Sequence, residues 1–262
     1  MNPAKESDVQ QPTYAISEPV ESPPDDQAAV SCRELTKQYG EVVAVDGVTF
    51  SLRRGTVTGF LGPNGAGKTT TLRLLLGLAE PTGGEALVFG HRYRELVEPI
   101  RRVGAVLEST DFHPSRSGRD HLRTLALGAG LPLSRVEEVL TQVGLGTAAD
   151  RRVKTYSLGM RQRLGLAASL LGDPELLVLD EPANGLDPAG VHWLRGFLQT
   201  LAAQGRTVLI SSHLLAEVAQ TVDQILIIDH GRLLASGRLD DIAANGRTLE
   251  DVYLELTSGD ES

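Results

Sequence analysis

"GTVTGFLGPNGAGKTTTLRLLLGL", Gly55 to Leu78, decides the fold. "GTVTGFLG" reads as a buried strand running into a glycine-rich loop, and "KTTTLRLLLGL" as the helix that follows. Gly62 to Thr69 satisfies the spacing G-x-x-x-x-G-K-[ST] in the strand–loop–helix context that gives the motif its meaning. Its glycines let backbone N–H groups close around β- and γ-phosphates without Cβ clashes. Lys68 brings a point charge to the same oxygens, and Thr69 offers a hydroxyl to Mg²⁺. The candidate phosphate-binding residues are therefore Gly62, Pro63, Asn64, Gly65, Ala66, Gly67, Lys68, Thr69 and Thr70.

The complementary half is "ELLVLDEP", Glu175 to Pro182, an apolar strand that ends in two carboxylates. Asp180 is placed to hold Mg²⁺ through a water, and Glu181 to polarise an attacking water. Around these two motifs, "EALVFG", "RVGAVLE", "RTVLISS", "QILIIDH" and "RLLASG" read as further strands alternating with helical patterns. That order predicts an α/β P-loop NTPase with a mostly parallel sheet. From about 110 to 155 the patterns are helical, which predicts an inserted helical subdomain.

A third stretch, "TYSLGMRQR" from Thr155 to Arg163, opens a further helix with Ser157 as its N-cap. Helix starts present free N–H groups and bind anions. "YSLGMRQRLGLAASLL", just upstream of "DPELLVLDEP", resembles the ABC-transporter signature, and the resemblance extends from about Val30 to Gly237. "YG" at Tyr39 and Gly40 is similar to the aromatic turn that stacks on adenine, "ANGLDP" to the D-loop and "SSH", ending at His213, to the switch histidine.

The resemblance implies a RecA-like core with an antiparallel β subdomain and a helical subdomain. It implies ATP and Mg²⁺ as cofactors and ATP hydrolysis as the activity. Ser157 and Gly159 then complete the site of a second copy, so that two chains enclose two ATP molecules head to tail. Glu181 and His213 become the catalytic pair, with His213 on the γ-phosphate. Asp187 either positions groups across the dimer or serves as a turn residue before Pro188.

Two departures stand out. Tyr156, Leu158 and Met160 replace the first, third and fifth residues of Leu-Ser-Gly-Gly-Gln, while Ser157 and Gly159 remain. Where the family carries glutamine after "RVGAVL", this chain has Glu108, which either ligates Mg²⁺ or turns to solvent. With "LEDVYLELT" near the C-terminus, these departures resemble exporter ATPases for antibiotics, drugs and polysaccharides. That subfamily implies integral-membrane permease subunits on a separate chain, a homodimer, and a cytoplasmic position on the inner face of the membrane.

Composition agrees. The 262 residues are 41% hydrophobic and 23% charged, as in ordinary globular domains. Residues 1–29 and 250–262 each carry a net charge of −5 against −9 for the whole, leaving the body between them at +1. Such a body gives no support for nucleic-acid binding. Fewer than a hundred residues separate Thr69 from Ser157, too few for the coiled coils of chromosome-type relatives, and one ATPase unit is present rather than the two of translation-type relatives. These points weigh against the alternative, a non-transport ABC protein on nucleic acid or ribosomes. No N-K-x-D guanine-reading motif occurs.

Cys32 is the single cysteine, so a reducing compartment fits. The N-terminus lacks a basic-then-apolar signal pattern, and no apolar run approaches the ~18 residues of a membrane span. Residues 1–29, rich in Pro, Glu, Asp, Ser and Gln, predict a disordered tail; the ATPase domain is expected over 30–257 and a C-terminal tail over 258–262.

Overall fold

The computed structural model describes residues 27–107, 112–215, 220–243 and 247–257. Most of the expected tail over 1–29, the C-terminal tail, Glu108, and much of the helix expected after "SSH" lie outside these residues. At the N-terminal boundary there is a difference. Strand β1 begins at Ala28, ahead of Val30, because Ala28 and Ala29 are buried and Ala28 pairs with Arg53.

Two sheets form the body. β1 (Ala28–Tyr39), β2 (Val42–Arg53) and β4 (Gly83–Val88) make an antiparallel sheet in the order β2-β1-β4. The larger sheet, in the order β5-β6-β7-β3-β8-β9, contains β3 (Val57–Leu61), β5 (Val103–Val106), β6 (Leu176–Asp180), β7 (Thr207–Ser212), β8 (Gln224–Asp229) and β9 (Arg232–Arg238). It is parallel except for β9, which returns from β8 as an antiparallel hairpin.

β3, β6 and β7 are buried along their whole length, which is why they read as unbroken apolar runs. Their side chains still alternate between two cores. Phe60, Leu176, Val178, Leu209 and Leu226 point toward the antiparallel sheet, where Phe60 meets Phe50 at 6.0 Å between ring centroids. Leu61, Leu177, Leu179, Val208 and Ile227 point the other way, toward helices.

α1 (Lys68–Leu75) follows β3 and sends Leu72 and Leu75 into the core between the sheets. α2 (Pro99–Arg102) leads into β5. Between β5 and β6 come α3 (Gly118–Gly128), α4 (Ser134–Gln142) and α5 (Leu158–Ser169), with short 3₁₀ turns and, among the described residues, no strand. Leu122, Val136, Val139 and Leu140 form the apolar seam of this helical segment. Arg119 fastens its far side, hydrogen-bonding Asp150 at 2.8 Å and pairing with Glu137; these bonds raise the Arg119 pKa and hold the Asp150 carboxyl below its usual range.

α6 (Pro188–Ala203) lies against the same core through Leu194, Leu198 and Leu201, one stripe at helical spacing. α7 (Leu239–Ile242) and α8 (Leu249–Thr257) complete the described chain. No helix of the described residues is long and apolar enough to cross a membrane.

Candidate nucleotide site

The site lies at the carboxyl ends of β3, β6 and β7, where ligands of open parallel sheets bind. Close packing shapes the loop after β3. A Cβ on Gly62 would collide with the Ile228 carbonyl oxygen, and one on Gly67, at φ 104°, would stand 2.5 Å from that of Ala44. The Gly231 N–H donates to Ala66 O at 3.0 Å, so the β8–β9 turn props the loop from outside.

Lys68, 6% exposed, curls over the loop and donates to Gly62 O at 2.6 Å and Pro63 O at 3.1 Å. Its Nζ is also 3.5 Å from Glu181 Oε1. That carboxylate oxygen is buried and accepts no hydrogen bond. Thr69 Oγ1 donates to Asp180 Oδ2 at 2.7 Å. His213 Nδ1–H donates to Glu181 Oε2 at 2.9 Å, the tautomer that matches a carboxylate acceptor. Glu181 itself has φ 48°, a left-handed conformation uncommon outside glycine. Its backbone turns sharply just past β6 while its side chain is held between a lysine and a histidine.

One participant was missed in the sequence. Ser211, fully buried, donates its hydroxyl to Asp180 Oδ1 and accepts the Glu181 N–H at 2.9 Å. It joins both carboxylate residues through one oxygen because β6 and β7 place Asp180 and Ser211 directly opposite each other. Its place in "SSH" was visible, but that register was not.

The arrangement fits Mg²⁺ with a polyphosphate. Mg²⁺ prefers one or two protein oxygens, with waters and phosphates filling the rest of its octahedron. The Thr69–Asp180 pair matches that, and among the described residues no cage of three or more His, Cys, Asp or Glu competes for the ion. Glu181 Oε1, buried without a hydrogen-bond donor, is an acceptor left for a water, and the Lys68 ammonium beside it carries the charge that suits a phosphate.

Other expected residues lie outside this cluster. Tyr39, half exposed at the end of β1, has Lys37 Nζ over one ring face at 4.8 Å from the centroid. Ser157 is exposed and caps α5, accepting the Met160 N–H at 3.2 Å. Asp187 caps α6, accepting the Gly190 N–H at 2.8 Å, so it does serve as the turn residue before Pro188. Tyr156 proves to be a core residue: it is buried, and its hydroxyl donates to Ala148 O at 2.8 Å.

The ABC transporter family model matches residues 45–184. A bacitracin transport ATP-binding protein, BcrA of Bacillus licheniformis, is 41% identical over 236 residues, covering 89% of this chain and 76% of that protein. A lantibiotic transport ATP-binding protein, SrtF of Streptococcus pyogenes, is 36% identical over 221 residues, covering 84% and 94% respectively. Among solved structures, the ATP-binding subunit of an ABC transporter superposes with a TM-score of 0.79 at 31% identity, covering 87% of this chain and 99% of that one. Motif order, fold and likeness agree: the chain belongs to the ABC transporter family as an ATP-binding subunit that hydrolyses ATP with Mg²⁺.

Proposed function

We propose that this chain powers an exporter of an antibiotic-, drug- or similar-type compound, working as a homodimer docked on integral-membrane permease subunits encoded separately. Its place is then cytoplasmic, peripheral on the inner face of the membrane. The observation that carries the exporter reading is the 41% identity to a bacitracin transport ATP-binding protein across most of both chains.

Within this reading the residues divide the work. Bound Mg²⁺ supplies charge neutralisation for the phosphates. Lys68 and the Gly62–Thr69 loop hold the β- and γ-phosphates, with Thr70 beside them. Thr69 and Asp180 orient the metal, with Ser211 keeping the Asp180 carboxylate in place. Glu181 takes the proton of the attacking water, and His213 holds the Glu181 carboxylate in the orientation that accepts it. Tyr39 offers its free ring face to adenine.

Support for two copies comes from Ser157 and Gly159. Ser157 is an exposed helix cap, and its hydroxyl takes no part in the described contacts of Lys68, Asp180 or Glu181. The helix start is left to meet a phosphate held by another chain, which makes ATP the joint between the copies and its hydrolysis the release. The helical segment from about Asp111 to Arg152, together with the stretch at Glu108, is assigned to contact with the permease.

Membrane fractionation tests the reading. Co-expressed with a candidate permease, the chain should pellet with membranes; expressed alone, it should stay in the supernatant. Equal pelleting in both cases, or none in either, would contradict the assignment.

A further inference from the structure

The head of α5 and the turn before α6 grip each other through two reciprocal contacts. Leu158 Cδ2 stands 2.6 Å from the point a Cβ on Gly185 would occupy, and Leu186 Cδ2 stands 3.6 Å from the corresponding point on Gly159. Leu158 thus fills the space over Gly185, while Leu186 stands at ordinary contact distance over Gly159. Gly185 adopts φ +72°, so its backbone as well as the space above it suits glycine.

This is not ordinary core packing. Leu158 remains 50% exposed, and it follows Ser157 directly. Between the same two elements lies a cavity of about 260 Å³ whose lining includes Ser157, Gly159, Leu186 and Asp187. In the wall of the cavity the Arg163 guanidinium lies 3.9 Å from the centre of the Trp193 ring, a further contact between the two helices. α5 and α6 share the core through Leu166 and Leu194, and the two leucine contacts add to that packing at the exposed end, beside Ser157 and Asp187.

We propose that the Leu158–Gly185 and Leu186–Gly159 contacts form a clasp holding the Ser157 helix head and the Asp187 loop in one arrangement. Leu158 is then a positioning residue for the shared ATP site, and the clasp rests on the two-copy reading above. Removing the Leu158 side chain opens the tighter half of the clasp without touching Lys68, Thr69, Asp180 or Glu181. ATP loading at a chain's own loop should survive, while the turnover that needs Ser157 of the other copy should not.

Steady-state ATPase assays on the full chain provide the test. Leu158→Gly should lower kcat by roughly tenfold with KM for ATP within about twofold, and Leu158→Met should recover most of the loss. Gly185→Ala should be damaging alone and cost less in the Leu158→Gly background, where the clash with the leucine is gone and only the strain at φ +72° remains. Since Leu158 is half exposed, both of its variants should melt near the parent.

Parental kcat in Leu158→Gly, or independent losses that simply multiply, would overturn the clasp. Glu181→Gln separates it from the underlying reading. If that variant dimerises with ATP and Leu158→Gly keeps parental kcat, the clasp alone fails. If Glu181→Gln stays monomeric with ATP, the two-copy reading fails and takes the clasp with it.

Discussion

Thr69 and Asp180, 111 residues apart in sequence, share a hydrogen bond of 2.7 Å that joins the first turn of α1 to the end of β6. This pair brings together the two halves of the nucleotide site, and Ser211 holds Asp180 from the opposite side. Asp180→Asn should lower kcat by at least about 100-fold and raise the Mg²⁺ concentration needed for half-maximal rate. Thr69→Ala, which leaves the carboxylate, should cost about tenfold. A Mg²⁺ titration of ATPase activity checks both; parental Mg²⁺ dependence in Asp180→Asn would contradict the assignment.

The contact between His213 Nδ1 and Glu181 Oε2, 2.9 Å long, makes the histidine an orienting group for the carboxylate. His213→Ala should therefore reduce kcat by roughly 100-fold with little change in ATP binding. Parallel measurements of turnover and equilibrium ATP binding separate the two. Loss of binding in proportion to turnover would place His213 on the bound phosphate instead.

Tyr156 occupies the first position of the signature stretch but belongs to the core. Tyr156→Phe removes the hydroxyl that donates to Ala148 O, a part-buried bond, and should cost about 1 kcal/mol. For a domain of this size that lowers Tm by ~2–4 °C, with ATPase kinetics at assay temperature unchanged. Thermal denaturation and steady-state assays on the same preparation decide it.

His121, on α3, meets Phe112 edge to face at 4.9 Å, and burial followed by the nearby Arg116 charge lowers its pKa below the ordinary imidazole value. The folded chain then binds fewer protons here than the unfolded one. The contribution to stability is complete above pH ~6.5 and is lost as pH falls from there toward the folded-state value. His121→Phe should flatten that part of the Tm–pH curve; an unchanged slope would remove His121 as its source.

What sequence could show follows from how local each feature is. Gly62–Thr69 and the Asp180–Glu181 pair were legible because chemistry, loop and flanking elements sit within a few residues. The parallel sheet was legible because β3, β6 and β7 are buried on both faces and leave no polar alternation. Ser211 was not, since its role comes from strand register across 31 residues. Nor was the burial of Tyr156: only the fold brings the Ala148 carbonyl to its hydroxyl. The extra residues at the start of β1 escaped because alanines carry little strand signal until their neighbours cover them.

The central claim is that the site is shared between two copies, and sedimentation of Glu181→Gln with ATP and Mg²⁺ tests it most directly. That variant should form a stable dimer with ATP, a monomer with ADP, and a monomer with ATP once Ser157→Arg is added to the same chain. A Glu181→Gln chain that binds ATP and remains monomeric, or a dimer indifferent to Ser157→Arg, would contradict it.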